Sequence, residues 1–270
     1  MKAIIFPGQG SQKAGMASEF QSNFRIVKDI FDRVDEALKF SLSKIILNGS
    51  DEDLKKTEIT QPAILTTSFA IFSVLKHEFN FDLSKIKYIA GHSLGEYSAL
   101  VASGSINLED GVTLVHERGK LMQAAVPEGQ GAMLAVMGLN INELTSLLKK
   151  FDNNKGVCEI ANDNSTGQII LSGNKETLIA FSNNLKAAKK KSIFLPVSAP
   201  FHCSLMRPAA DNMKTFLQKT DFKKTSLQLV SNVTAKPVEK DSDVVDLLYR
   251  QIFSQVRWRE SIEYMISKGI

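Results

Sequence analysis

The sequence predicts an α/β fold in which a core with a parallel sheet carries an inserted small ferredoxin-like subdomain. A short apolar strand at 88–90 runs through a glycine-rich turn directly into a helix, an order that is typical of an α/β core. After a break at 127–131, the element order from 132 to 195 is βαββαβ, which is the order of a ferredoxin-like split unit. We therefore assign residues 1–126 and 197–270 to the core and residues 127–196 to the insert.

Apolar patterning predicts the elements of the core in turn. A strand at 3–6 ends at the turn Pro7-Gly8-Gln9-Gly10, and apolar residues at three-and-four spacing predict an amphipathic helix over 26–38. The proline of Gln61-Pro62 favours a helix start, so a mostly buried helix is expected over 64–79. The remaining core elements are expected as helices at 96–102, 108–125, 205–219 and 244–253 and a strand at 227–230.

The insert is predicted from shorter elements. Its helices are expected at 142–151 and 175–188, and its strands at 132–137, 157–161, 168–172 and 192–195. The polar stretch 162–167 favours a turn between the second and third strands.

Composition excludes several classes of protein. With 270 residues, 43% of them hydrophobic and 23% charged, the chain has ordinary globular usage and can build a core. Two cysteines make no disulfide framework, the short apolar stretch before Pro7 is no signal peptide, and no run approaches the ~18 apolar residues of a membrane helix. A net charge of +4 is too small to imply a nucleic-acid partner. We expect a cytoplasmic protein away from membranes, with neither a metal nor a cofactor.

Gly91-x-Ser93-x-Gly95 has the pattern of a nucleophile elbow. Small residues on either side of the serine let a strand turn so tightly into a helix that the hydroxyl stands exposed. An ordinary strand-to-helix turn is the alternative, and the flanking strand and helix favour the elbow.

A serine nucleophile needs a base, and His202 is the candidate. It follows the proline-bounded, irregular segment 196–201, whereas the other three histidines lie in predicted helices or within the elbow. A solvated loop histidine is the alternative. The group that orients this imidazole stays open at this point: Asp163 and Asp211 have suitable chemistry but no distinctive local pattern, and the third member of the site could be a neutral group.

Two further features suggest how an acyl group would be held. The amide of Leu94, at the start of a helix, and the amide of Gln9, in the first glycine-rich turn, are candidates for an oxyanion hole. Arg118 could hold a carboxylate through two parallel hydrogen bonds. Its alternative is a cation near the C-terminus of a helix that interacts with the helix dipole.

Together these segments resemble the malonyl-CoA:acyl carrier protein transacylases of bacterial fatty-acid synthesis. The likeness extends in order along essentially the whole chain. The residues that carry it are Phe6-Pro7-Gly8-Gln9-Gly10-Ser11-Gln12, Gln61-Pro62-Ala63, Gly91-His92-Ser93-Leu94-Gly95-Glu96-Tyr97, Glu117-Arg118-Gly119, Pro196-Val197-Ser198 with His202, and Ser231-Asn232-Val233.

The resemblance implies a hydrolase-like core, a ferredoxin-like insert and an active site between them. It implies that Ser93 is the nucleophile, that His202 is the general base, and that the amides of Gln9 and Leu94 form the oxyanion hole. It also implies that the backbone carbonyl of Gln251 orients the histidine, in which case no acid is needed for that role.

The resemblance also implies the partners: malonyl-CoA, coenzyme A and acyl carrier protein, with the enzyme acting as a monomer. Arg118 would pair with the malonyl carboxylate, and an acetyl group would leave it unpaired at a cost on the order of a few kcal/mol. Phe201 resembles the aromatic residue next to the histidine in malonyl-selecting synthase modules, where its bulk would exclude a methylmalonyl group, although Pro200 departs from that pattern. The lysines at 186 and 189–191 could dock an acidic carrier protein or simply form a solvated face.

Two other functions compete with the transacylase. A serine esterase or thioesterase would use the same elbow and histidine but would transfer the acyl group to water. The second is a truncated, inactive remnant that only binds, because family members continue past Ile270 with a glycine-proline-glycine turn and a final helix.

Overall fold

Two sheets of different kinds organise the chain in the computed structural model, which describes residues 1–151, 156–197, 199–225 and 227–270. The strands in these residues are β1 (Lys2–Phe6), β2 (Ile86–Gly91), β3 (Gly131–Met137), β4 (Cys158–Ser165), β5 (Gln168–Asn174), β6 (Lys191–Phe194) and β7 (Gln228–Val230). The helices are α1 (Ser18–Asn23), α2 (Arg25–Leu38), α3 (Leu42–Asn48), α4 (Asp51–Lys55), α5 (Thr57–His77), α6 (Gly95–Ser103), α7 (Leu108–Ala124), α8 (Ile141–Lys150), α9 (Lys175–Ala187), α10 (Arg207–Lys219), α11 (Val244–Gln251) and α12 (Trp258–Ser267). The predicted α/β class is confirmed.

The first sheet is parallel and has the strand order β1-β2-β7. Phe6 pairs with Gly91, and Ala90 pairs with Val230, so the three strands end at nearly the same level. The turn after β1, the elbow after β2 and the segment after β7 therefore leave the sheet at one edge. In open α/β sheets, ligands bind at this carboxyl edge.

The second sheet is antiparallel and has the strand order β4-β5-β3-β6. Helices α8 and α9 cover it and bury an apolar cluster that is separate from the main core. The fully buried members of this cluster include Leu134, Leu144, Leu171 and Leu178.

Helix α5 differs from the prediction because it begins at Thr57 and contains Pro62 in its interior. Proline has no N–H to donate to the carbonyl of Glu58, four residues earlier. His116 of α7 supplies the missing donor: its Nδ1 lies 2.8 Å from the Glu58 carbonyl oxygen. Within the described residues, α5 is also the one helix long and apolar enough to cross a membrane, but 67% of its most apolar window is buried, as in the core helix of a globular fold.

The polar stretch 162–167 is also different from the prediction, because β4 continues through most of it to Ser165. The pairing of β4 with β5 shifts register twice, between Ile160 and Asn162 and between Asp163 and Ser165. Bulges of this kind accommodate polar residues in a strand and re-aim their side chains. Helices α1, α3, α4 and α12 were not expected from the sequence.

A polar seam joins the second sheet to the segment around the start of α12. The amide of Val256 donates to the carbonyl of Ala161 at 2.8 Å, and the amide of Asp163 donates back to the carbonyl of Val256 at 3.0 Å. Arg259, at the start of α12, forms an ion pair with the buried carboxylate of Asp163 at 2.7 Å. Strand β4 is thus bonded to the segment that precedes α12.

Candidate active site

Ser93 stands on a strained turn between β2 and α6. Its backbone φ is +53°, a left-handed conformation that is uncommon for residues other than glycine. A Cβ at position 91 would lie 1.9 Å from the backbone of Gly95, and a Cβ at position 95 would lie 2.7 Å from the carbonyl oxygen of Phe6. The glycines on either side of Ser93 are therefore required by the close packing of the turn, in agreement with the elbow pattern.

His202 lies within hydrogen-bond reach of Ser93, although 109 residues separate them in the sequence. The Ser93 hydroxyl oxygen is 2.8 Å from His202 Nε2, and His202 Nδ1 is 2.8 Å from the backbone carbonyl oxygen of Gln251. Because a carbonyl only accepts, Nδ1 carries the hydrogen and Nε2 is free to accept from the hydroxyl. This arrangement equips His202 to remove the Ser93 proton.

Neither acid that the sequence left open faces the histidine. Asp163 is paired with Arg259, and Asp211 accepts a hydrogen bond from the Tyr249 hydroxyl at 2.7 Å. Burial, and next the charge of Arg118, lower the pKa of His202 to about 3, so the imidazole is neutral near pH 7. A neutral imidazole is the form that acts as a base.

We expect the wild-type chain to lose stability at acid pH relative to a His202→Asn variant. The pKa of His202 is about 3 in the folded chain and 6.5 when unperturbed, so below pH 6.5 the unfolded chain binds a proton that the folded chain does not. The free energy of unfolding of the wild type, relative to that of the variant, should fall as the pH falls from 6.5 towards 3. The slope should approach about 1.4 kcal/mol per pH unit. Asparagine tolerates the φ of +60° at this position. Urea unfolding of both proteins across this pH range measures the slope, and parallel curves would contradict a buried neutral His202.

Arg118 reaches the same point from helix α7. Gly119 lets α7 approach α5 closely, since a Cβ there would lie 2.7 Å from the carbonyl oxygen of Thr57. The Arg118 guanidinium donates to Gln61 Oε1 at 2.8 Å, to the Ser93 hydroxyl at 3.1 Å and to Gln251 Oε1 at 2.9 Å. It is 1% exposed, and its Nε has no hydrogen-bond partner among the residues that the structure describes. A buried cation whose direct partners are all neutral is suited to binding an anion.

A cavity of about 250 Å³ opens above these groups, between the two sheets. The turns and helices beside the first sheet contribute Gln9, Gln61, His92, Ser93, Arg118 and Met122 to its lining. The second sheet contributes Met133, Asn162, Asn164, Gln168 and Ile170, and the segment that follows β6 contributes Leu195, Val197, Phe201 and His202. Two of the three segments that leave the parallel sheet, after β1 and β2, contribute to this lining.

Two of the other predicted site residues line this cavity, and Leu94 is the chain neighbour of the lining residue Ser93. Gln9 borders it, Phe201 is 6% exposed on its wall, and Leu94 directly follows Ser93 as the N-cap residue of α6. Ser198, quoted in one of the motifs, lies outside the described residues. No group of three or more His, Cys, Asp or Glu side chains in the described parts of the chain is arranged to hold a metal ion.

His92 forms a contact across the cavity. Its Nε2 lies 2.8 Å from the side-chain oxygen of Asn164 on β4, and its ring packs edge-on against Trp258 at 5.5 Å. The residue that precedes the serine therefore joins the parallel sheet to the antiparallel one.

Sequence reasoning missed a buried polar layer beneath the elbow. Asn232, after β7, accepts a hydrogen bond from the amide of Ser93 at 2.7 Å and donates to the carbonyl of Gly91 at 2.8 Å. Glu96 accepts from the Gln251 side chain, and burial raises the pKa of this carboxyl group to about 7. Both residues stand in the quoted motifs, but their roles depend on contacts between segments more than 130 residues apart in sequence.

Comparison with known proteins places this geometry among acyl transferases. The acyl transferase domain family matches residues 3–269. The chain is 40% identical to the malonyl CoA-acyl carrier protein transacylase of Escherichia coli strain K12, over 99% of this chain and 86% of that protein. Its fold is similar to the crystal structure of an acyl-carrier-protein-S-malonyltransferase from Bartonella henselae, with a TM-score of 0.96, 38% identity, and 100% and 86% of the two chains covered. A malonyl-transacylase in complex with its type II PKS acyl-carrier protein is similar at a TM-score of 0.94 and 38% identity, over 99% and 86% of the chains.

Proposed function

Because this chain belongs to the acyl transferase domain family, we propose that it moves a malonyl group from malonyl-CoA to the phosphopantetheine thiol of acyl carrier protein. The observation that carries the proposal is that one serine hydroxyl contacts both a neutral imidazole, at 2.8 Å, and a buried guanidinium, at 3.1 Å. The imidazole serves a nucleophile, and the guanidinium serves a substrate that bears a carboxylate.

In the first half-reaction, the Ser93 oxygen attacks the thioester carbon of malonyl-CoA while His202 Nε2 takes the hydroxyl proton. The carbonyl oxygen becomes an oxyanion, for which the amides of Gln9 and Leu94 are the proposed donors. The tetrahedral intermediate then expels the thiolate of coenzyme A, which takes the proton from His202. A malonyl ester on Ser93 and free coenzyme A remain.

In the second half-reaction, the phosphopantetheine thiol of the carrier protein gives its proton to His202 and attacks the ester carbon. Collapse of the second tetrahedral intermediate breaks the bond to the Ser93 oxygen, which recovers the proton from His202. The carbonyl of Gln251 keeps a hydrogen on Nδ1 in both the neutral and the protonated imidazole, because a carbonyl can only accept.

Selectivity for malonyl is assigned to Arg118 and Phe201. A malonyl carboxylate gives the buried guanidinium the anionic partner that its three neutral partners do not provide. Phe201, on the cavity wall, is the proposed barrier to a branched methylmalonyl group.

An assay with labelled malonyl-CoA tests the function against its two alternatives. The transacylase predicts a labelled Ser93 that passes its label to added carrier protein. Rapid release of the label as free malonate would indicate a thioesterase instead, and the absence of any adduct would indicate a protein that only binds.

We also propose a hydrolase-like core formed by residues 1–126 and 197–270 and a ferredoxin-like insert formed by residues 127–196. The strand order β4-β5-β3-β6 supports the insert. If the strands of the insert are numbered 1 to 4 from β3 to β6, they lie side by side in the order 2-3-1-4. The strand, elbow and helix around Ser93 support the hydrolase-like core.

We further propose a monomer that works in the cytoplasm, away from membranes and nucleic acid. The two buried free thiols, Cys158 and Cys203, support a reducing compartment.

The lysines from the last turn of α9 to the first residue of β6 are proposed to dock the carrier protein. Lys186, Lys189, Lys190 and Lys191 are all exposed, and they adjoin Ile193 and Phe194, which are 51% and 39% exposed. The chain then leads from β6 to Leu195 and Val197 in the wall of the cavity. An acidic carrier held at these lysines would have its arm close to the site.

We expect the double variant Lys189→Glu, Lys190→Glu to raise the KM for carrier protein about tenfold, equivalent to about 1.4 kcal/mol. Labelling of Ser93 by malonyl-CoA should not change, because the lysines lie outside the cavity lining. The matched control is Lys149→Glu, Lys150→Glu, two exposed lysines at the end of α8. Equal KM values for the two double variants would refute docking at this surface.

A further inference from the structure

Glu96 is a buried carboxyl group for which the proposed reaction has no task. It lies in the first turn of α6, three residues after Ser93, and is 1% exposed. One of its oxygens accepts from Gln251 Nε2 at 2.5 Å and from the amide of Asn232 at 3.3 Å. Burial raises the pKa of the carboxyl group, and the neighbouring Ser231 side chain lowers it in part. Buried carboxyl groups are rare and costly unless their partners are well placed.

The contact with Glu96 fixes which way the Gln251 amide points. Gln251 Nε2 donates both to Glu96 and to the carbonyl oxygen of Ser93, at 3.0 Å, so Gln251 Oε1 has to face Arg118. An amide turned the other way would direct N–H donors at a guanidinium that has only donors itself. The acceptor on Glu96 therefore favours the one orientation in which Gln251 binds Arg118.

Arg118 depends on that orientation for its position. Its Nη2 is held between Gln251 Oε1 and the Ser93 hydroxyl, while Nη1 binds Gln61. A guanidinium recognises a carboxylate through a rigid fork, so small changes of its angle weaken a two-bond contact more than they would weaken a point charge.

We propose that Glu96 is a positioning residue for acyl selection, which acts through the Gln251 amide to hold Arg118 at the angle that receives the malonyl carboxylate. The proposal rests on the proposed function, which supplies the carboxylate substrate. What Glu96 has to provide is an acceptor oxygen, and a negative charge is not required. A glutamine at this position keeps that oxygen and turns its NH₂ towards Ser231, whose hydroxyl can accept.

Two side chains of similar length separate these requirements. Glu96→Met loses the acceptor, and we expect it to lower the ratio of malonyl to acetyl transfer by about 10- to 100-fold, mainly through a higher KM for malonyl-CoA. Glu96→Gln should keep the wild-type ratio. Glu96→Ala also removes the acceptor and should lower the ratio as Glu96→Met does. It provides a second measurement of the same effect if Glu96→Met folds poorly.

Leu100→Ala, a buried apolar change farther along α6, is the control for general damage to this helix and should lower transfer of both acyl groups equally. In an Arg118→Ala background, Glu96→Met should have no further effect on the ratio. An unchanged ratio in Glu96→Met, or a loss in Glu96→Gln as large as that in Glu96→Met, would overturn the proposal. Labelling of wild-type Ser93 is measured first, because a wild type that does not label would reject the proposed function. A wild type that labels, with an unchanged ratio in Glu96→Met, would reject only the role of Glu96.

Discussion

Ser93→Ala is expected to abolish formation of the malonyl-enzyme and to reduce transfer to carrier protein by about 10⁶-fold, the scale seen when a serine nucleophile is removed. The change deletes the hydroxyl oxygen that contacts both His202 and Arg118. Incubation with labelled malonyl-CoA, followed by denaturation and mass analysis of the peptide that carries residue 93, measures the adduct directly.

Ser98→Ala is the matched control for this change. Ser98 is a buried serine five residues farther along, in α6, and its hydroxyl has no hydrogen-bond partner among the described residues. We expect this variant to label as the wild type does. A stable label that survives in Ser93→Ala would place the nucleophile elsewhere.

Arg118→Ala is expected to lower kcat/KM for malonyl transfer by about 100-fold or more, as the loss of one partner of a buried charged pair does elsewhere. Acetyl transfer should fall far less, since an acetyl group has no carboxylate to bind the guanidinium. Arg118→Lys keeps the charge but loses the fork and the contacts that depend on it, so it should recover only part of the loss. Rates with malonyl-CoA and acetyl-CoA, measured on the same preparations, give the two ratios.

The control for Arg118 is Arg33→Ala, which removes an arginine that pairs with Glu109 on the surface. We expect no change in either rate. If Arg118→Ala lowered malonyl and acetyl transfer by the same factor, the residue would serve the serine and histidine alone, and the selectivity assigned to it would be wrong.

Local sequence signals predicted most of the fold because they are dictated by short-range rules. Gly91 is required by backbone crowding within five residues, although Gly95 is required by the approach of the distant Phe6 backbone. The prediction of strand, turn and helix there agrees with β2 and α6. The alternation of strands and helices from 131 to 194 was likewise predicted, with boundaries shifted by a few residues.

Other features could not be predicted because they depend on distant partners. Pro62 stands inside a helix because His116, on another helix, bonds to the carbonyl that the proline leaves free. The part played by Asn232 in holding the elbow exists only once β7 lies beside β2. Pro62 and Asn232 both stand in motifs that carry the resemblance to the transacylases, but only the folded structure shows which residues they contact.

The seam between β4 and the segment before α12 has a consequence for engineering hybrids of related enzymes. An exchange of residues 127–196 alone would leave the backbone groups of Val256 facing a foreign strand, and it would separate Arg259 from its native aspartate. Arg259 would keep only its partner on α12, Glu263 at 2.7 Å, and the link between α12 and the insert would be lost. A graft that preserves this junction has to carry 256–259 as well, so the smallest transplantable module consists of two pieces of chain that are far apart in the gene.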